Sequence, residues 1–153
     1  MLSPLRYPGS KADLVPVVAQ ILNECGLSGR PFIEPYAGSA SVSLALVEAG
    51  VVPSAVIGEQ DPLLYSFWRA VFEHTDELLE RFIDLPITLE TWHSLRPLMK
   101  VKDPNTVADQ VELGLAGLFF NRANFSGILN GGPIGKIKKK SQYKIDCRTN
   151  KDE

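Results

Sequence analysis

Residues 31–59 constrain the fold of this chain more than any other stretch. Pro31-Phe32-Ile33-Glu34-Pro35-Tyr36 has a β-type apolar centre between prolines, residues that the interior of a central strand excludes. A turn made only of small residues follows, Ala37-Gly38-Ser39-Ala40. Val42, Ala45, Leu46 and Ala49 then recur at helical spacing and stop at Gly50, and Ala55-Val56-Ile57-Gly58 forms a second apolar run that closes on Glu59. Strand, turn, helix and strand in so short a span predict a crossover unit with two parallel strands, hence an α/β fold. A small-residue turn lets a ligand approach the backbone, and the N–H groups at the helix start favour anionic groups there. An acid ending the next strand can accept hydrogen bonds from both hydroxyls of a ribose, and Gly38 to Glu59 is 21 residues, close to the ~20 of nucleoside-binding units. The glycine pattern of nicotinamide-dependent oxidoreductases is missing, because Ala40 stands where a second glycine would be. By itself the turn also reads as ordinary packing between a strand and a helix.

On either side the pattern is helical. Leu14, Val17, Val18, Ile21 and Leu22 make one stripe, with Asp13 as the expected N-cap, Pro16 in the first turn and Gly26 as the stop. Asp61-Pro62 is a strong helix start, followed by an apolar face of Leu63, Leu64, Phe67, Trp68, Val71 and Phe72. Thr75 and Thr88 read as caps of two further helices, and Val107, Val111, Leu115, Leu118 and Phe119 as the face of a last one. Residues 100–106 form a polar loop; from Asn121 the chain is Asn-, Gly- and Ser-rich and then basic, with a short strand expected at Tyr143-Lys144-Ile145. The expected division is 1–61 and 62–153.

Size and charge narrow the reading. The chain has 153 residues with 44% hydrophobic positions, enough for one globular domain without a metal or disulfide staple. No apolar stretch approaches the ~20 residues that cross a bilayer. The stretch 14–22 follows Arg6 and Lys11 like a signal segment, but Asp13, Pro16 and Gln20 interrupt it. Cys25 and Cys147 make no disulfide framework, so reduced thiols and a cytoplasmic location are expected. His74 and His93 have no partner at metal-ligand spacing, so no metal site is expected. Residues 1–135 hold 9 Lys and Arg against 15 Asp and Glu, whereas residues 136–153 hold 7 against 3. A basic block on an acidic body suits either a local polyanion contact or a solvated tail.

Tyr7-Pro8-Gly9-Ser10-Lys11 supplies a second constraint. Together with Glu34-Pro35-Tyr36-Ala37-Gly38-Ser39-Ala40, with Glu59, and with Asn121-Arg122-Ala123-Asn124-Phe125-Ser126-Gly127, it makes four motifs in order. In these the chain resembles the S-adenosylmethionine-dependent DNA adenine methylases. They match that family's aromatic-x-Gly-Gly-Lys loop, its Glu-Pro-Phe-x-Gly-x-Gly loop, its ribose-binding acid and its Asn-Arg-x-x-Phe/Tyr-Asn-Gly motif. The resemblance implies a Rossmann-like methyltransferase fold with a mainly helical DNA-recognition insert, S-adenosylmethionine as cofactor and double-stranded DNA as partner. It places Tyr7, Lys11, Glu34, Gly38, Ser39 and Glu59 at the cofactor. It gives Arg122, Asn124 and Asn130 to base edges or phosphates, and Lys138, Lys139, Lys140, Lys144 and Arg148 to phosphates. Ser10 for Gly, Ala40 for Gly and Glu59 for Asp depart from the family pattern, the last two in the direction of weaker cofactor binding. For Trp68 and Trp92 packing is the expected role.

The family flips the target base out and holds it with Asp-Pro-Pro-Tyr, whose Asp carboxylate and Pro carbonyl accept from the adenine amine while the Tyr stacks on the ring. These 153 residues lack that tetrapeptide: Asp61-Pro62-Leu63-Leu64 and Asp103-Pro104-Asn105-Thr106 continue differently and read as a helix start and a loop. No catalytic residue is therefore expected here. The chain reads as a truncated or split N-terminal portion, inactive alone, whose sheet edge is expected to be exposed unless a complementing chain or a second copy covers it. A non-catalytic DNA- or nucleoside-binding module is the alternative.

Overall fold

The computed structural model describes residues 3–6, 8–106, 108–135, 143–149 and 151. They form two compact units, Met1–Gln60 and Asp61–Glu153. In the first, a 3₁₀ turn at Ala12–Leu14 leads into α1 (Val15–Glu24), followed by β1 (Phe32–Glu34), α2 (Ser41–Glu48) and β2 (Ala55–Ile57). The strands pair in parallel, Phe32 with Ala55, Ile33 with Val56 and Glu34 with Ile57, as a crossover unit requires. Val42, Leu46 and Val52 are the buried centre, packed against Val15, Val18, Ala19, Leu22 and Phe32. Ile33 and Val56 stand on the opposite face of the sheet, exposed.

Two details differ from the expected helix at 14–22. The tighter 3₁₀ turn takes up Asp13, so α1 starts one residue later with Leu14 at the N-cap and no side-chain cap. The inward stripe is then Val15, Val18, Ala19 and Leu22, while Leu14, Val17 and Ile21 are exposed. Gly26 does stop the helix, at φ +66°, and the chain closes with Leu27 N–H donating to Leu22 O at 2.7 Å.

The second unit is helical: α3 (Pro62–Glu73), α4 (Thr75–Asp84), α5 (Leu89–Leu95) and α6 (Gln110–Ala123), with short 3₁₀ turns at Arg96–Lys100, Pro104–Thr106 and Phe125–Gly127. Asp61 caps α3 as its sequence predicts, its Oδ1 accepting from Leu63 N–H at 2.9 Å. Thr88 caps α5 in the same way, through Thr91 N–H. Thr75 does not cap α4; it is the first helical residue, and its hydroxyl donates back to Val71 O at 2.6 Å. Helix α6 buries eleven of its fourteen residues; Val107, expected on its face, lies outside the described residues. The helix lies backbone to backbone on α3: a Cβ on Gly114 would come 2.6 Å from Ser66 O, and one on Gly117 would come 2.7 Å from Leu63 O. Phe67, Phe119 and Phe120 fill the space beside this crossing. Residues 143–145 form no strand; Ile145 to Arg148 is a turn, closed by Cys147 N–H on Lys144 O. No helix among the described residues is long and apolar enough to cross a membrane.

Candidate functional site

Paired peptide groups and two carboxylates build the small-residue turn. Gly58 N–H donates to Glu34 O at 2.8 Å and Ala37 N–H donates to Gly58 O at 2.9 Å, so the chain leaving β1 stays paired to the chain leaving β2. That pairing is tight, because a Cβ on Gly58 would come 2.8 Å from Pro35 O. Glu59 is thereby carried to the turn, where its carboxylate accepts from Gly38 N–H at 2.9 Å and from Gln60 N–H at 2.8 Å. The two ends of the expected nucleoside unit, 21 residues apart, thus meet directly.

Glu34 has a local task as well. The residue before α2 is Ala40, left-handed at φ +50° and without a capping side chain. Glu34 reaches across from β1 instead, and its Oε2 accepts from Ser43 N–H at 3.1 Å and from the Ser43 hydroxyl. A carboxylate at a helix start also suits the positive end of the helix dipole. Ser39 Oγ lies 2.8 Å from Ser41 Oγ and 3.4 Å from Ser10 Oγ, which draws the N-terminal loop onto the turn. Lys11 is exposed and its ammonium donates to Gly9 O at 2.5 Å. The structure therefore groups Glu34, Gly38, Ser39 and Glu59 in one turn and brings Ser10 of the Lys11 loop to it. Tyr7 lies outside the described residues. Ser41 and Ser43 belong to the arrangement and were not singled out in the sequence; the signal was an Ala at the N-cap, which forces the capping bonds onto other side chains.

In the second unit the Asn-rich motif forms a closed loop after α6. Phe125 N–H donates to Gly132 O and Ile134 N–H to Ala123 O, so residues 123–125 run antiparallel to 132–134. Asn124 is fully buried inside the loop. Its Nδ2 donates to Ile128 O at 3.0 Å and Leu129 O at 2.7 Å, and its Oδ1 accepts from Trp92 Nε1 at 2.7 Å. An amide so enclosed presents nothing to a duplex, so its place in this structure is inside the loop rather than on a base edge. Asn130 is exposed beyond it and Arg122 is half-buried in the last turn of α6.

Trp68 and Trp92 are both buried, in keeping with packing. His74 is exposed between α3 and α4, and no three His, Cys, Asp or Glu side chains cluster as metal ligands among the described residues.

Of the basic block, Lys138, Lys139 and Lys140 lie outside the described residues. Lys144 is exposed and Arg148 half-buried. Lys144 lines a groove of about 500 Å³ with Thr88, Glu90, Ile134, Tyr143 and Asp146. Lys151 turns inward: its ammonium donates to Ile83 O and Leu85 O, both at 2.6 Å, at the C-terminal end of α4. Two of the last carbonyls of that helix thus receive a cation. At the start of α6, Asp109 accepts from Glu112 N–H at 2.8 Å and, through its other oxygen, from Arg81 of α4 at 2.6 Å. Partial burial pushes the Asp109 carboxyl up, but the Arg81 guanidinium and the α6 amides outweigh it and hold the carboxyl below its ordinary value.

Residues 7–144 match the family described as D12 class N6 adenine-specific DNA methyltransferase. No curated protein matches the chain.

Proposed function

We propose, for a chain that belongs to the D12 class N6 adenine-specific DNA methyltransferases, that its first unit holds the methyl donor and its second unit meets the DNA. Methyltransferases of this kind act on the exocyclic amine of adenine in DNA and generally use S-adenosylmethionine. The observation that carries the reading is the bond from Gly38 N–H to the Glu59 carboxylate, 2.9 Å long, which seats an acid against the small-residue turn. In this reading the two-stranded sheet is one part of a Rossmann-like sheet.

The turn fits the donor chemically. When bound, S-adenosylmethionine supplies an electrophilic methyl group on a sulfonium, and the tasks of this chain are to bind and orient it. A carboxylate offers about four acceptor sites, and such a group beside the turn suits Glu59 to ribose hydroxyls. Gly38 and Ser39 carry no bulk that would keep a ligand from the backbone. Glu34 caps α2 and adds negative charge beside a cationic amine, with Tyr7 and Lys11 completing the pocket. In the second unit Arg122, Asn130, Lys144 and Arg148, together with Lys138, Lys139 and Lys140, contact the duplex, with Asn124 acting behind them. No Asp-Pro-Pro-Tyr occurs in the 153 residues, so methyl transfer requires that element to be supplied alongside, by a complementing chain or segment.

Calorimetric titration with S-adenosylmethionine tests the cofactor assignment. Wild-type protein should bind and Glu59→Ala should bind at least tenfold more weakly; equal affinities refute the ribose role. Labelled methyl incorporated into DNA by these residues alone would overturn the catalytic part. DNA binding with no cofactor binding would leave the non-catalytic module as the better account.

A further inference from the structure

The loop at residues 124–134 buries polar groups beside Leu129, Pro133 and Ile134 and exposes several apolar ones. Its interior holds a buried amide, Asn124, and beside it the buried Asn121, whose Nδ2 donates to Gly127 O at 3.1 Å. Its outside carries exposed Phe125, Ser126, Ile128 and Asn130. Apolar burial therefore explains little of why Phe125-Ser126-Gly127-Ile128-Leu129 keeps one shape, since Leu129 is the one buried apolar side chain of that stretch. Ser126 is held left-handed at φ +57°, a conformation that costs a residue with a Cβ ~1–2 kcal/mol and persists only where the surroundings impose it.

The surroundings that impose it are the Asn121 amide on Gly127 O, the turn bonds Gly127 N–H to Asn124 O and Ile128 N–H to Phe125 O, and the Asn124 amide. Both of its donors go to loop carbonyls, Ile128 O and Leu129 O, and its oxygen is fixed from outside the loop by Trp92 of α5, 32 residues away. Trp92 is itself immobilised, with Phe120 edge-on at 6.1 Å and the Arg96 guanidinium over its ring at 5.1 Å. The indole N–H thus ties the position of a packed helix to the polar interior of the loop.

We infer that Trp92 and Asn124 are positioning residues for DNA binding: their hydrogen bond sets the 124–134 loop in the one conformation that the duplex meets, although neither side chain touches DNA. This rests on the reading that the second unit binds DNA. A neutral buried hydrogen bond that leaves its acceptor unpaired is worth about a tenfold change in an equilibrium constant when lost.

Trp92→Phe removes the donor and keeps an aromatic ring. The expected result is about tenfold weaker binding of a duplex DNA, unchanged S-adenosylmethionine affinity, and faster hydrogen exchange at the Gly127, Ile128 and Gly131 amides. In an Asn124→Ala background the same substitution should weaken binding no further, because the partner is already gone. Full DNA affinity in folded Trp92→Phe, or additive losses in the double variant, would overturn the inference while leaving the DNA reading intact. Wild-type protein that binds no duplex would overturn both. Should Trp92→Phe fail to fold, exchange of the indole N–H in the wild-type protein decides: slow exchange of the Trp92 signal is expected, and exchange as fast as that of a free indole would overturn the proposal.

Discussion

The turn at residues 35–40 is fixed by groups that come to it from outside. Glu59 arrives at the end of β2 to take Gly38 N–H, and Glu34 reaches from β1 to cap the helix that the turn begins. The loop at residues 124–134 is fixed from inside, by the buried amides of Asn124 and Asn121. The foundations differ to match. Beneath the turn lie Val42, Leu46 and Val52, and no residue of α1 is fully buried. Beneath the loop lies α6, buried along most of its length, Phe119 and Phe120 included, with Trp92 edge-on to Phe120. A two-stranded sheet of three-residue strands is at the small end of what holds together in water. A turn on that base presents backbone and charge to a ligand that can complete it, whereas a loop on a full core can present side chains unaided.

The largest expected effect tests the second foundation. Phe119→Ala should destabilise the second unit by about 3–5 kcal/mol in urea unfolding, since Phe119 is fully buried. A loss under about 1 kcal/mol would mean that the loop does not stand on a packed core. Next comes the close approach under the turn. Gly58→Ala, with its Cβ 2.8 Å from Pro35 O, should cost about 1–3 kcal/mol and weaken cofactor binding along with it. Unchanged stability would show that the two strand ends separate freely.

Ala40→Gly should act in the opposite direction. Ala40 is buried and left-handed, and a glycine there removes the strain, for a gain of about 0.5–1 kcal/mol by thermal unfolding after the extra chain entropy is offset. A loss would mean that the Ala40 methyl packs better than its backbone is strained. The smallest effect is acidic. Because the folded Asp109 carboxyl sits below its ordinary value, its contribution is complete above about pH 3.9 and disappears as pH falls through the lowered value. The pair is partly exposed, so screening keeps the contribution within about 1 kcal/mol. Arg81→Met should flatten that acid limb; an unchanged pH profile would remove Arg81 as its cause.

Much of the fold was legible because it rests on local rules. The 31–59 unit announces itself through period, turn and strand, and Asp61-Pro62 through capping chemistry. The start of α1 was not legible, because the side-chain pattern that suggests a cap at Asp13 is equally served by a 3₁₀ turn that consumes it. The short strand expected at 143–145 is replaced at its end by a turn, Ile145 to Arg148, in which Cys147 N–H folds back on Lys144 O. At the site, spacing marked Gly38 and Glu59 as the ends of one unit, but not the hydrogen bond that joins them. The inward turn of Asn124 did not, because a polar residue in a basic, Asn-rich stretch looks exposed until the Trp92 indole, 32 residues earlier, is brought beside it.

Lys151 changes how the basic block should be counted. Residues 136–153 hold seven Lys and Arg, but the Lys151 ammonium is engaged by the carbonyls that end α4. At most six of these cations remain to displace counterions from a duplex. For this block alone that sets a ceiling of about 5 on the magnitude of the slope of log binding constant against log salt, where the bare count would have allowed about 6.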